Sequence, residues 1–179
     1  MATSLSGRVA VIIGAAKDVA ETAVAAGATV VVGVRSPGDR PAADLVLTLD
    51  PGDPMALNVL ATAVEERYGR IDLLVAAATG ATQAPFESVS ASAERDLVEA
   101  NFTGVTGVIR RLLPLMGRGS SIVVLVPEQA RHALDAAMRA AVESLCAALA
   151  VELAPRGVAV SAVTEPAAYQ LWCSGMPSV

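Results

Sequence analysis

The chain has 179 residues, of which 54% are hydrophobic, and it carries a formal net charge of −5. This length suits one domain, and no apolar run is long enough to span a bilayer. The acidic balance gives no electrostatic reason to bind nucleic acid or an anionic membrane. Residues 1–8 contain no apolar signal core, so we expect a cytoplasmic protein. We expect it to bind neither nucleic acid nor a membrane.

Six short apolar runs predict buried strands, and helix-length segments separate most of them. Continuous apolar strands that alternate with helices indicate a parallel sheet covered on both faces. The predicted strands are residues 9–13, 29–34, 45–49, 73–76, 122–126 and 158–163. The expected fold is a Rossmann-type, doubly wound parallel sheet in a three-layer αβα single domain over residues 1–166, followed by a tail at 167–179.

Residues that begin and end helices support this alternation. Asp53 followed by Pro54 predicts an N-cap and a first helical residue, in a helix that ends near Gly69. Ser90 or Ser92 can cap the next helix, and two long helices are expected at 96–116 and 131–153. Residues 36–43 contain two prolines and a glycine. That stretch is too broken for a crossover helix, and too few residues follow the sixth strand for another helix and strand.

In this order the segments resemble the short-chain dehydrogenase/reductase family from Leu5 to about Pro166. The resemblance lies in LSGRVAVIIGA, EERYGRIDLLVAAA, RDLVEANFTGVTGVIRRLLPLM and RAAVESLCAALAVELAPRGVAVSAV. In turn, these are similar to the family's first strand and turn, the helix and strand before its NNAG motif, its long helix with a central asparagine, and the helix and strand after its active-site lysine. The resemblance implies the fold above, without the family's last strand and C-terminal substrate lid.

The cofactor turn of that family, TGxxxGxG, matches residues 13–20 and keeps one glycine of three, Gly14. Such glycines let the backbone approach a pyrophosphate at a helix N-terminus. Asp18 would place a carboxylate beside the phosphate oxygens, which at ~5 Å and an effective dielectric of ~20 costs roughly 3 kcal/mol per charge pair. Alternatively, Asp18 N-caps the helix from Val19 onward. Either way the helix end is unavailable to a phosphate.

The remaining cofactor positions are vestigial under this resemblance. The NNAG motif corresponds to AAAT at residues 76–79, Asp50 to the adenine-contacting aspartate, and Asn101 to the catalytic asparagine. Asn101 could equally satisfy backbone groups at a helix kink. Arg139 takes the place of the lysine that holds the ribose. Arg35 follows a strand that ends without an acid, so it is either simply solvated or would favour NADP over NAD. We expect no cofactor, with NADP as the alternative.

The resemblance assigns Pro127 to the catalytic serine and Asp135 to the catalytic tyrosine. The family's reduction needs a phenol that protonates the forming alkoxide and a hydroxyl that polarises the carbonyl. Proline has no hydroxyl, and an unperturbed aspartate is ionised at neutral pH. Asp135 and Arg139 are four residues apart on a predicted helix, where we expect a surface ion pair. We therefore expect no standard NAD(P)-dependent reduction.

Other polar residues at the strand ends suggest a different chemistry. Glu128 and His132 share a helix face if that helix begins early enough, and a carboxylate that orients an imidazole is an acid–base pair near pH 7. A solvated, charged helix start is the simpler interpretation. Glu165 follows the sixth strand. Tyr169 and Trp172 in the tail could cover the sheet edge or fill the cofactor cleft.

The leading hypothesis is a non-catalytic subunit that pairs through its two long helices. The resemblance implies that mode of assembly, and its partner would be an active ketoreductase of a natural-product pathway or a second copy. The expected contact is the alanine-rich face around Ala137, Ala141 and Ala148.

Two rival functions stay open. The first is a cofactor-independent cyclase, isomerase or lyase that binds a small-molecule ligand in the vacated cleft. Its catalytic candidates are Glu128, His132 and Asp135. The second is an atypical NADP-dependent oxidoreductase. No metal site is expected.

Overall fold

One parallel sheet organises the chain, whose computed structural model describes residues 5–14, 17–36, 38, 41–78, 80–82 and 84–164. The predicted tail and Glu165 lie outside the described residues, as do Tyr169 and Trp172. The strands are β1 (Val9–Ile13), β2 (Thr29–Val34), β3 (Leu45–Thr48), β4 (Ile71–Ala77), β5 (Met116–Val126) and β6 (Val158–Thr164). All neighbours pair in parallel, in the order β3-β2-β1-β4-β5-β6.

Helices cover both faces of this sheet. They are α1 (Lys17–Ala25), α2 (Pro54–Tyr68), α3 (Ala91–Val98), α4 (Gly104–Leu112) and α5 (Ala133–Leu153). Apolar side chains of α2, α4 and α5 pack on one face, and those of α1 pack on the other. The strand order reverses between β1 and β4, as in a Rossmann fold. The predicted fold class is confirmed.

The ends of α2 follow the predicted chemistry. The Asp53 carboxylate accepts the Met55 N–H at 2.8 Å, and Pro54 is the first helical residue. At the other end Gly69 adopts a left-handed φ of 69° and donates its N–H to the carbonyls of Glu65 and Val64. Both ends are therefore set by local residues, which is why the sequence predicted them.

The prediction of one continuous α-helix over 96–116 is wrong, because this stretch is divided into two α-helices joined by a π-helical turn. Ser90 caps α3, accepting the Ala93 N–H at 3.2 Å. A π-helical turn, Glu99–Thr103, then joins α3 to α4, with the Gly104 N–H bonded to the Glu99 carbonyl five residues earlier. After α4 the chain forms a 3₁₀ turn that contains Pro114, which has no N–H to continue an α-helix. Residue 116 already belongs to β5.

Asp72 ties the amino ends of β1 and β4 together. Its carboxylate accepts the Val9 N–H at 2.8 Å, Arg70 Nε at 3.0 Å and Arg8 Nη1 at 3.2 Å. Burial tends to raise the pKa of Asp72, but the hydrogen bonds from Val9, Arg70 and Arg8 and the charge of Arg70 outweigh it, so the pKa lies below the ordinary 3.8. A carboxyl group with a lowered pKa in the folded state stabilises the fold when it is ionised.

We predict that Asp72→Asn lowers the free energy of unfolding by roughly 1.5–3 kcal/mol at pH 7, because three hydrogen bonds lose their charged acceptor. Urea unfolding followed by circular dichroism measures this. The difference from wild type should shrink as the pH falls from about 4, where the unfolded carboxylate takes up a proton, through the lower pKa of the folded carboxylate. Glu66→Gln, which changes an exposed acid on α2, is the matched control. A difference that persists unchanged at pH 2 would contradict the assignment.

Candidate functional site

Ligands of open parallel sheets bind beyond the carboxyl ends of the strands, near the point where the strand order reverses. Here that region is bordered by the turn after β1, the loop after β4 and the start of α5 after β5.

Gly14 closes the turn after β1 under a tight steric constraint. Its φ is 105°, and its N–H donates to the Gly33 carbonyl at 3.2 Å. A Cβ at this position would lie 2.7 Å from the Cβ of Ala77 at the end of β4. Packing of β1 against β4 thus requires a glycine here whether or not a cofactor binds.

Asp18 does not cap α1, contrary to the expectation that it is the N-cap. The helix already includes Lys17, so Asp18 lies in its first turn. The residue is exposed, and its carbonyl accepts the Thr22 hydroxyl at 2.8 Å. An acid in the first turn is stabilised by the helix dipole. The helix end that would face a phosphate therefore carries a fixed negative charge.

Asn101 lies at the centre of the π-helical turn and is only 2% exposed. Its side-chain oxygen accepts the Gly80 N–H at 2.8 Å, and its side-chain nitrogen donates to the Gly80 carbonyl at 2.8 Å. The amide is thus satisfied on both ends by one residue of the loop after β4.

Asp135 is not part of a surface ion pair, which corrects that expectation. It is 5% exposed and turns inward from the first turn of α5. Its Oδ1 accepts the Thr82 N–H at 2.7 Å and the Thr82 hydroxyl at 3.0 Å. The carboxylate of Asp135, the residue that the resemblance assigns to the family's tyrosine, is bonded to the loop after β4, 53 residues earlier in the chain.

Arg139 bonds to groups that lie both before and after it in the chain. Its Nε donates to Glu143 Oε1 at 2.8 Å, an ion pair one turn later. Its Nη1 donates to the carbonyls of Pro127 at 3.1 Å and Glu128 at 2.8 Å. The guanidinium therefore fixes the link between β5 and α5, and both of these nitrogens are engaged within the protein.

Glu128 and His132 do not share a helix face, because α5 begins only at Ala133 and His132 is its N-cap residue. The His132 side chain makes no capping hydrogen bond, and Glu128 is exposed. Among the ion pairs between described residues, none joins these two side chains. The expected acid–base pair is therefore not assembled in this structure.

Asp50 and Arg35, which the sequence singled out as remnants of a cofactor site, both lie in loops after strands. Asp50 follows β3, and its carboxylate accepts the Gly52 N–H at 2.9 Å. Arg35 follows β2 and is exposed. In the described part of the chain no group of three or more His, Cys, Asp or Glu is placed to hold a metal ion. Nor does any helix described here have the length and hydrophobicity to cross a membrane.

Cys146 is a free and buried thiol on α5. Burial raises the pKa of Cys146 to about 11, with a further contribution from the charge of Glu143. The thiol is thus protonated at neutral pH, which removes it as a nucleophile.

The sequence analysis missed Gly80, Thr82 and Glu143, which are the partners of Asn101, Asp135 and Arg139. Glu143 could have been found, because it is four residues after Arg139 on the same helix. Neither Gly80 nor Thr82 shows such a local signal. Their partners come from helices 21 and 53 residues away.

Comparisons with known proteins establish the family. A family profile described as enoyl-(acyl carrier protein) reductase matches residues 10–176. The chain belongs to the short-chain dehydrogenase/reductase family. A sequence search among curated proteins finds no significant match.

Solved structures show the same fold. A dehydrogenase/reductase from Sinorhizobium meliloti is 23% identical with a TM-score of 0.82, over 91% of this chain and 73% of its own. A short-chain dehydrogenase from Streptomyces avermitilis is 30% identical with a TM-score of 0.77, over 89% of this chain and 65% of its own. A Pseudomonas aeruginosa short-chain oxidoreductase described as containing an atypical catalytic center is 24% identical with a TM-score of 0.82, over 90% of this chain and 70% of its own.

The described residues do not fit a nicotinamide dinucleotide. An aspartate stands in the first turn of the helix that would face the pyrophosphate. Of the side chains at the family's ribose and catalytic positions, Asn101, Asp135 and Arg139 are each bonded to the protein itself. These three side chains are engaged within the protein, and the Asp18 carboxylate would repel a pyrophosphate at this helix end.

We predict that NADPH does not bind with a low-micromolar dissociation constant in calorimetry at low salt. Asp18→Gly should improve binding by up to about a hundredfold, the equivalent of the roughly 3 kcal/mol of repulsion removed. Glu21→Gln, which removes an exposed acid one turn later on α1, is the control and should change little. Low-micromolar binding by the unmodified chain would refute the prediction.

Proposed function

We propose that this chain is a non-catalytic member of its family that acts as a subunit, pairing through α3, α4 and α5. One observation carries the proposal: Asn101, Asp135 and Arg139, at the family's catalytic positions, are all engaged in internal hydrogen bonds. Pro127, which the resemblance assigns to the family's catalytic serine, has no hydroxyl. We propose that the chain acts without a cofactor.

The outer face of α5 supports pairing. Ala137 and Ala148 are exposed, as the sequence suggested, whereas Ala141 is half-buried at the border of the face. Its exposed positions also include Ser144, and Val151, which is 77% exposed. Small side chains let a second helix approach closely, and an exposed valine gains from being covered.

Charges on the neighbouring helices support self-complementary pairing. We call α3, the π-helical turn and α4 the rod. Its first part, residues 91–103, carries three acids and one arginine, a net charge of −2, and its second part, residues 104–112, carries two arginines, a net charge of +2. All six side chains are exposed: Glu94, Arg95, Asp96, Glu99, Arg110 and Arg111.

An antiparallel pair of rods would set the acidic part of each against the basic part of the other. Two-fold pairing of identical surfaces is the commonest assembly of soluble proteins. A surface cavity of about 490 Å³ on the rod, lined by Val98 and Thr103 among others, leaves room for a partner's side chains. The partner is either a second copy of this chain or an active ketoreductase of similar fold from a natural-product pathway.

NADP-dependent reduction remains the alternative. Structures of similar proteins are described as complexes with NADP, namely Pseudomonas aeruginosa RhlG and a Burkholderia cenocepacia short-chain dehydrogenase. These neighbours are 22% and 24% identical to the chain. The calorimetric titration above decides between this alternative and the proposal.

We predict that Ser144→Arg splits the oligomer, because a charged side chain enters the centre of the α5 contact. Ser144 is exposed, so the substitution leaves the core intact. Multi-angle light scattering at micromolar concentration measures the mass, alone and with any co-encoded reductase. Ala141→Arg, at the border of the face, should weaken the contact as well.

Thr62→Arg is the matched control, because Thr62 is an exposed position on α2, which is not one of the helices of the proposed contact. It should leave the mass unchanged. A wild-type protein that is monomeric under all these conditions would rule out the pairing.

Independent catalysis predicts a different pattern. His132 is the only histidine, and removing one positioned acid–base group typically costs ~10²–10⁴-fold in rate. Under the pairing proposal His132→Ala leaves the turnover of a co-purified reductase nearly unchanged, whereas Ser144→Arg abolishes it. Cofactor-free turnover by the pure chain that His132→Ala removes and Ser144→Arg spares would instead establish an enzyme in its own right.

A further inference from the structure

Asp135 is an unusual buried charge, because its carboxylate is 5% exposed and the described residues provide no cation in an ion pair with it. Burying a carboxylate is costly unless hydrogen bonds compensate. Both donors of Thr82, the N–H at 2.7 Å and the hydroxyl at 3.0 Å, bind the same oxygen. The first turn of α5 adds the favourable end of the helix dipole. The site is built around Thr82.

A second side chain holds the same loop two residues earlier. Asn101 binds both backbone groups of Gly80, each at 2.8 Å. A Cβ on residue 80 would lie 3.1 Å and 3.2 Å from the two polar atoms of the Asn101 amide. This close approach favours glycine, and it shows that the backbone is seated tightly against the amide.

Residues 80–82, here called the strap, are therefore fastened at two points by two different helical segments. The strap follows β4, and Asp135 belongs to the helix that follows β5. Because β4 and β5 are neighbouring parallel strands, the contact joins the loops beyond their carboxyl ends, where ligands of such sheets enter.

We propose that the strap is an internal closure of this part of the cleft, and that Asp135 is the positioning residue that holds it shut. Thr82 supplies the N–H and hydroxyl donors that a ligand would otherwise present to this carboxylate. Opening the cleft then means breaking the Asp135–Thr82 contact, while Asn101 keeps Gly80 attached as the hinge. This inference does not rest on the pairing proposal.

NMR-detected hydrogen exchange on the full chain tests the closure residue by residue. The amides of Gly80 and Thr82 should be protected in the wild type. Asp135→Asn keeps the shape and removes the charge, so exchange at Thr82 should accelerate at least about tenfold, the scale of a lost hydrogen bond to a charged group. Exchange at Gly80 should change less, because the Asn101 contact remains.

If Asp135 only stabilised the whole fold, Asp135→Asn would accelerate exchange in the core of β1 as much as in the strap. The closure predicts acceleration confined to the strap and the first turn of α5. Thr82→Val, which removes the hydroxyl and keeps the N–H, should give a smaller acceleration of the same pattern. It also provides a second variant if Asp135→Asn folds poorly.

Two controls match these changes. Glu66→Gln removes an exposed charge on α2, and Thr22→Val removes a hydroxyl that bonds the Asp18 carbonyl on α1; neither should alter exchange in the strap. Unprotected strap amides in the wild type, no acceleration in Asp135→Asn, or an equal acceleration in β1 would each overturn the proposal. If the wild-type protein does not pair but its strap amides are protected, the pairing proposal fails and the closure stands.

Discussion

The hydrogen bonds from Thr82 to Asp135 set the arrangement of the polar groups at the carboxyl end of the sheet. Asp135 turns inward to Thr82, and Arg139 bonds to Glu143 one turn after it instead of to Asp135 one turn before it. Its remaining contacts fall on the carbonyls at the end of β5, which hold the connection to α5. Asp135 and Arg139 are thus both engaged within the protein at the end of the sheet where a ligand would enter.

The same end of the sheet shows how the fold accommodates a changed set of residues. A proline can replace a hydroxyl residue after β5 because only the carbonyl of Pro127 is used, as an acceptor for Arg139. The π-helical turn aims Asn101 at Gly80. Such turns often mark functional sites, and here the turn serves a contact between two segments of the protein.

Local chemistry explains which elements could be predicted from sequence. The bounds of β1 and β2 match the apolar runs, and α2 begins and ends where Asp53 and Gly69 require. The start of β5 was missed because residues 116–121 are mostly small or polar. Within this stretch Met116 and Ser121 pair with β4, and Ser120 and Ser121 pair with β6. The division of the rod was missed because most of its apolar periodicity comes from Val105, Val108, Ile109 and Leu112, which all lie in α4, after the π-helical turn.

The site residues posed a harder problem than the elements. Resemblance to the family can point to a position, but the direction of a side chain depends on what it meets. Asp135 had acceptable partners at short range, and the partner that it takes lies in a distant loop. Long-range contacts of this kind leave no periodic trace in the sequence, whereas the Arg139–Glu143 pair does.

The contact between Gly14 and Ala77 bears on how related sequences should be interpreted. Since a methyl group at residue 14 would collide with the end of β4, a chain that has lost all affinity for nucleotides would still be under pressure to keep this glycine. Surveys that count glycines in this turn would therefore score some non-binding chains as binders. The more informative positions are those whose only use is the phosphate itself, because nothing in the packing of the strands preserves them.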